Sequence, residues 1–130
     1  MNDSRTASEQ AVHDANRLFY RALESGDFDE MRAVWSKSAD VVCAHPGRVP
    51  IRGWDDVWAS WVAILGSGGN PQVILTEEVI TVRGDVAWAT GIENMISGGH
   101  TGAAAAINIF ENTDGRWLLV AHYSGPVIAN

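Results

Sequence analysis

Asp85-Val86-Ala87-Trp88-Ala89-Thr90-Gly91-Ile92-Glu93-Asn94-Met95-Ile96 is the stretch that decides the fold. Side chains alternate across a strand. Val86, Trp88, Thr90, Ile92, Asn94 and Ile96 therefore share one face, and Ala87, Ala89, Gly91, Glu93 and Met95 share the other. Both faces are largely apolar, so both are expected to be covered. Helices can cover one, and a second copy of the chain can cover the other.

Outward from this strand, the neighbours are also strands. Gln72–Val82 precedes it, and Gly102–Glu111 and Arg116–Ser124 follow. The turns at Arg83-Gly84-Asp85, Ser97 to Thr101 and Asn112 to Gly115 hold the Gly, Asn or Asp that hairpins need. These connections are too short for parallel crossovers, so an antiparallel sheet is expected. The first half of the chain reads differently. Val12, Ala15, Phe19, Ala22 and Leu23 form a helical stripe within Ser8 to Ser25, ended by Gly26. Asp27 can cap a short second helix carrying Phe28, Met31, Val34 and Trp35, with Glu30 at the capping-box position. Asp40 to His45 reads as a short strand, broken at His45-Pro46-Gly47. A third helix starts near Gly53 to Trp54, with Trp54, Val57, Trp58, Trp61, Val62 and Leu65 on its apolar stripe. Helices first and strands second argue for an α+β class, one domain with an antiparallel sheet.

The 130 residues suit a single domain, 1–130, that needs no metal or disulfide staple. Cys43 is the single cysteine, which excludes an internal disulfide and suits a reducing cytoplasm. The start, Met1 to Gln10, is polar and not signal-like, and no apolar run could span a bilayer. A net charge of −7 and a pI near 4.8 weigh against nucleic acid and anionic membranes as partners. Six tryptophans offer large apolar contact areas for a core or a pocket wall.

Glu93 stands at mid-strand on a face of small residues. Burial there would raise its pKa and suit it to general acid or base work, or else it is a structural carboxylate with a partner. Asn108 faces with Ala104, Ala106 and Phe110 on the neighbouring strand and can reach toward Glu93. It can donate to a developing oxyanion or be a satisfied buried amide. His45 and His122 lie near strand ends, as proton shuttles or structural residues. Cys43 and His45 share a face, but no further ligand follows at zinc spacing, so no metal is expected. His13 and His100 read as surface residues. Gly66–Gly69 and Gly98–Gly102 lack the Lys-Ser/Thr ending of a phosphate loop, and Ser124-Gly125 lacks the flanks of a nucleophile elbow.

The run Phe19-Tyr20-Arg21-Ala22-Leu23-Glu24-Ser25-Gly26-Asp27 resembles the first-helix ending of the nuclear transport factor 2-like superfamily, in its SnoaL-like branch. Trp35, His45-Pro46-Gly47, Gly53 and Ser60-Trp61 continue the pattern. Gly84-Asp85-Val86-Ala87-Trp88-Ala89-Thr90 with Glu93 is similar to its central strand. Asn108-Ile109-Phe110 and Asp114-Gly115-Arg116-Trp117 are similar to its closing hairpin. The ending Val120-Ala121-His122-Tyr123-Ser124-Gly125-Pro126 also resembles that of the calcium/calmodulin-dependent kinase II association domain. Those relatives often carry further histidines where this chain has Ala121 and Tyr123, and the association domain carries arginines where Glu93 and Asn108 stand. The paired Asp and Tyr of a ketosteroid isomerase have no counterpart at matching spacing.

The resemblance implies a cone-shaped fold in which helices close one face of a bent sheet, commonly with dimers through the other face. It implies a pocket that hosts isomerase, cyclase, dehydratase, hydrolase or purely assembling members. The expectation is therefore a small-molecule-binding protein, an isomerase-, cyclase- or dehydratase-type enzyme that acts without a cofactor by proton transfer on a small, largely apolar molecule, or alternatively a non-catalytic ligand-binding or homo-oligomeric assembly module. Glu93, His45 and Asn108 form the candidate catalytic set. Tyr20, Trp35, Trp58, Trp61, Phe110, His122 and Tyr123 are the candidate ligand contacts. A homodimer through the outer sheet face is expected as the partner.

Overall fold

The computed structural model describes residues 5–128, so the first part of the polar start at Met1–Gln10 lies outside the described residues. Three helices precede or interrupt two short strands, and four long strands follow. The elements are α1 (Ala7–Ser25), α2 (Phe28–Val34), β1 (Val42–Ala44), β2 (Ile51–Arg52), α3 (Trp54–Leu65), β3 (Gln72–Arg83), β4 (Val86–Ser97), β5 (His100–Thr113) and β6 (Arg116–Pro126).

Local chemistry explains the helix ends. Thr6 accepts a hydrogen bond from the backbone N–H of Glu9, whose side chain bonds back to the N–H of Thr6, so α1 begins with a closed capping box. Gly26 ends it in a left-handed conformation, φ +69°. That conformation favours glycine, and a Cβ there would also displace the Asn70 side-chain amide. Asp27 then caps α2 by accepting from the N–H of Glu30.

The sheet has the order β2-β1-β6-β5-β4-β3 and does not close on itself. It is curved, with the helices against one face, and this is the α+β architecture expected. The four long strands are an antiparallel meander. Gly98 and Gly99 both have positive φ and make the tight β4–β5 turn. The expectation of an antiparallel sheet needs one correction: β1 pairs parallel with β6, placing Cys43 beside His122. The intervening chain holds α3 and the meander, which is ample for such a return. The strand expected over Asp40 to His45 is shorter, and β2 was not foreseen because two residues carry no readable period.

Two irregularities bend the sheet. One lies between Thr76 and Val79 on β3, with Glu77 at φ 57°. The other is on β6, where Leu119 and Ala121 oppose the adjacent residues Phe110 and Ile109 of β5. Each extra residue reverses the side-chain parity beyond it. Gly91 belongs to the first bend: a Cβ there would meet Leu75 at 3.0 Å and the Thr76 carbonyl at 3.2 Å. The room left by the missing side chain of Gly91 is thus taken by Leu75 and the Thr76 carbonyl of β3.

The core lies between the helices and the inner sheet face. Trp35, Trp61, Phe19, Phe110, Met31 and Leu119 are its largest fully buried side chains. No helix among the described residues is long and apolar enough to cross a membrane.

Candidate functional site

The inner face of the sheet is not uniformly apolar. Glu93, Asn108, His122 and Ser124 are buried there, opposite Asn16 and Tyr20 of α1. Asn16 and Tyr20 are one helical turn apart and so share the face that looks onto the sheet. Asn108 pairs in register with Ala89 on β4 and His122 on β6. Ser124 is separated from Glu93 by β5, where Ala104 pairs with Glu93 and Ala106 with Ser124. Two alanines leave the gap through which the Ser124 hydroxyl donates to Glu93 Oε1 at 2.6 Å.

The hydrogen bonds run in one consistent direction. The amide of Asn16 donates to Glu78 Oε2 at 2.9 Å, which leaves Asn16 Oδ1 as an acceptor. Asn108 Nδ2 donates to that oxygen at 2.8 Å and to the Tyr20 hydroxyl at 3.0 Å. Tyr20 thus has its own proton to give, and it donates to Glu93 Oε2 at 2.6 Å. Asn108 Oδ1 can only accept, so His122 Nδ1 carries the proton in their 2.5 Å contact. The Nε2 of His122 is left with a lone pair. At the outer end, Glu78 Oε1 meets His13 Nδ1 and, at 3.5 Å, Arg5. His13 is therefore half-buried and engaged, not the plain surface residue expected, because the β3 bulge turns Glu78 inward to meet it.

Electrostatics follow from burial. Burial pushes the Glu93 carboxyl above the usual carboxylate range, and the bonds from Ser124 and Tyr20 only partly oppose this. No arginine or lysine pairs with Glu93 among the described residues. The Tyr20 phenol is pushed far up by burial and by the adjacent carboxyl, so it remains a donor at every ordinary pH. Burial, with the nearby His45, depresses His122 to about 3, and it is neutral at pH 7.

His45 sits at the other side of Trp61. Its ring is edge-on to the indole at 4.7 Å, and His122 lies 6.1 Å away on the same indole. Ser60 gives its proton to the Val57 carbonyl, so it accepts from His45 Nε2 at 3.0 Å. Burial and Arg48 lower the His45 pKa. Cys43 lies 3.6 Å from His45 Nε2, but burial pushes its thiol up to about 12, so it stays protonated. Trp35 and Trp61 pack at 6.4 Å between ring centres. The indole N–H of each is buried with no partner among the described residues. Such a group costs about 1–3 kcal/mol unless an oxygen meets it.

Of the residues singled out from sequence, Glu93, Asn108, Tyr20 and His122 join one network, and Trp61 brings His45 and Trp35 against its edge. The link from Glu93 to Asn108 runs through the Tyr20 hydroxyl. Phe110 fills the core beside Leu119. Trp58 stands apart, half-buried on the outer side of α3, stacked on Trp54 at 5.5 Å with Arg32 over its ring at 5.8 Å. Tyr123 lies on the outer sheet face and is 39% exposed. Asn16, Ser124, Glu78 and His13 were missed. Asn16 interrupts the apolar stripe of α1 one turn before Tyr20, and Ser124 shares the parity of His122; both signals were present. Among the described residues no three His, Cys, Asp or Glu side chains group as metal ligands.

A cavity of about 410 Å³ opens between α1 and β3. Tyr20, His13 and Glu78 contribute to both this cavity and the network. A second, shallower depression of about 590 Å³ lies on the sheet between Glu77, Thr90, Ile92, Ala105, Ile107 and Tyr123.

Residues 12–129 match the model of the SnoaL-like domain. A solved structure from Streptomyces avermitilis, provisionally assigned as a dehydratase of the NTF2-like family, is 32% identical, with a TM-score of 0.88 over 94% of this chain and 97% of that one. A provisionally assigned calcium/calmodulin-dependent protein kinase type II association domain from Thiobacillus denitrificans is 28% identical, with a TM-score of 0.81 over 89% of this chain and 94% of that one. The F-box protein SKIP8 of Arabidopsis thaliana is 27% identical over 126 residues, which are 94% of this chain and 52% of that protein. The chain thus spans about half the length of that relative.

Proposed function

The chain belongs to the SnoaL-like domain family, and from that premise we propose that it binds a small, largely apolar molecule beside Glu93 and moves a proton on it without a cofactor. One observation carries the reading: a buried carboxyl with a raised pKa, held by two hydroxyls and by no cation. A carboxyl so placed can accept a proton near neutral pH and return it, which is what isomerisation, cyclisation and dehydration require. In a dehydration, the carboxylate takes the proton from carbon, the electron pair of that bond forms the double bond, and the hydroxyl departs. The proton then returns to the departing oxygen as water, and Glu93 is restored. Tyr20 and Ser124 hold the carboxyl in place, Asn108 holds the Tyr20 hydroxyl, and the indoles of Trp35 and Trp61, without a partner among the described residues, are donors for a ligand oxygen. The dehydratase assignment of the Streptomyces relative agrees with this chemistry.

The same chain is proposed to form a homodimer through the outer sheet face, with neither nucleic acid nor membrane as a partner, in a reducing cytoplasm. Val79 (59% exposed), Ile74, Ile96 and Tyr123 leave apolar surface there that a second copy would cover. That surface also favours the second reading, an assembly module in which the network is only structural.

A thermal-shift screen against steroids, polyketide-like phenols and small acids, run from pH 5 to 8 on wild type and Glu93→Gln, separates the two. Ligands that raise Tm with a pH dependence lost in Glu93→Gln support proton transfer. Stabilisation that ignores both pH and Glu93, or no stabilisation, leaves the assembly reading.

A further inference from the structure

We propose that the cavity between α1 and β3 is a binding site for a small organic monocarboxylate, with its apolar body inside and its carboxylate on Arg17 and Arg21. The inference deepens the reading above by naming a ligand class, and rests on it for any chemistry after binding. The binding step stands on the cavity alone.

The walls divide by chemistry. Tyr20, Leu18, Val73 and Leu75 supply apolar surface. His13, Arg17 and Arg21 recur every fourth residue and line one edge from a single face of α1. The two acidic residues of the lining are already committed. Glu24 Oε2 accepts the backbone N–H of Val73 at 2.7 Å, and Glu78 holds His13, Asn16 and Arg5. The arginines are not committed in the same way. Arg21 has only a 3.8 Å contact with the exposed Glu30, and Arg17 has no ion pair among the described residues. Arg17 and Arg21 are therefore the two side chains of this lining whose N–H donors the lining carboxylates do not occupy, on a chain whose net charge is −7.

Two guanidiniums one turn apart suit a single carboxylate, which takes donors from a planar fork on each oxygen. A phosphate dianion fits less well, because Glu24 and Glu78 stand in the same lining. The volume of about 410 Å³ lies near the low end of ligand sites. It suits an aryl or medium-chain acid rather than a steroid. The backbone supports the site too. Glu77 holds a left-handed conformation at the bulge, which turns Glu78 into the wall.

The test is isothermal titration of octanoate and 3-phenylpropanoate, with octanamide, 3-phenylpropanamide and phenyl phosphate as comparators. The acids should bind at least tenfold more tightly than the amides and than phenyl phosphate, and more weakly as salt rises. Arg17→Gln with Arg21→Gln should abolish that preference, Arg17→Lys should keep part of it, and Arg83→Gln, remote from the cavity, should keep all of it. Circular dichroism checks that the variants fold. Equal affinity for acid and amide, tighter binding of phenyl phosphate, a preference that survives loss of both arginines, or no binding of either acid at millimolar concentration each overturns the proposal. These outcomes are read from charge preference alone. Failure of proton transfer at Glu93 is read from the pH dependence of Tm, so the two can fail separately.

Discussion

The two faces of the β4–β5–β6 sheet are made from alternate residues of the same strands, yet they solve opposite problems. The inner face carries Glu93, Asn108, His122 and Ser124, all buried, and each of these side chains has a hydrogen-bond partner. The outer face carries Thr90, Ile92, Ile107 and Tyr123 and leaves apolar surface uncovered. A polar cluster is thus enclosed within the apolar core while apolar side chains stay exposed outside, which a sheet built only for stability would not require. A buried carboxyl without a cation costs stability. Its presence on the covered face, within a closed set of hydrogen bonds, is the reason to read that face as a site. The outer face has no such set, and its apolar surface is the reason to read it as a contact.

The largest expected effect is on the inner side. Trp61 is 2% exposed and touches Phe19, Trp35, His45 and His122. Trp61→Ala should cost about 3–5 kcal/mol in chemical denaturation. A loss under ~1 kcal/mol would mean that the indole is not holding α3 to the sheet. Next comes Tyr20→Phe, which keeps the ring and removes the hydroxyl shared by Glu93 and Asn108. It should cost about 1–3 kcal/mol at pH 7, because two buried groups lose a partner at once. Ala106→Val tests the gap across β5. Its added methyls should part Ser124 from Glu93 at a cost of about 1–3 kcal/mol, and a crystal structure of the variant would show whether the 2.6 Å contact is lost.

Two pH effects sharpen the contrast. The folded pKa of His122 is depressed to about 3, below its unfolded value near 6.5. The unfolded chain therefore binds more protons between these values, and stability should fall as pH drops from about 6.5 toward 3. The folded pKa of Glu93 is raised, so the folded chain holds the extra proton, and its contribution is lost as pH rises from about 4.3 through the folded value. In denaturation curves across pH, His122→Asn should remove the loss of stability on acidification and Glu93→Gln the loss on raising the pH, two effects of opposite sign that overlap between about 4.3 and 6.5. The smallest effect on the folded monomer is expected outside: Val79→Lys with Thr90→Lys should change monomer stability by only about 0.5 kcal/mol. The same pair should convert a dimer to a monomer in sedimentation. A wild type that sediments only as a monomer at micromolar concentration removes the contact reading of this face.

Much of this was legible because period survives in sequence. The alternation of β4 put Glu93 inward, that of β5 put Asn108 with Ala104, Ala106 and Phe110, and the stripe of α3 put Trp61 in the core. What was not legible follows from single extra residues and long separations. Counting inward residues along β3 from Val73 through Leu75 points to Glu77, but the bulge hands the inward place to Glu78. Period therefore could not show how Glu78 meets His13 and Asn16. The parallel β1–β6 pairing joins Cys43 to His122 across most of the chain, and no local pattern encodes it. Tyr20 was placed on α1, but its hydroxyl as the bridge between Glu93 and Asn108 depends on how α1 crosses the sheet, which only the folded chain shows.

Glu93 is a buried carboxyl with no cation beside it among the described residues, and burial raises its pKa. Carbon-13 NMR of the glutamate side-chain carboxyls, assigned through Glu93→Gln, measures this directly. The expected Glu93 midpoint lies above the ordinary ~4.3 and moves further up in Ser124→Ala, as a hydrogen bond to the charged form is removed. A midpoint at or below the ordinary value, unmoved by Ser124→Ala, would contradict it.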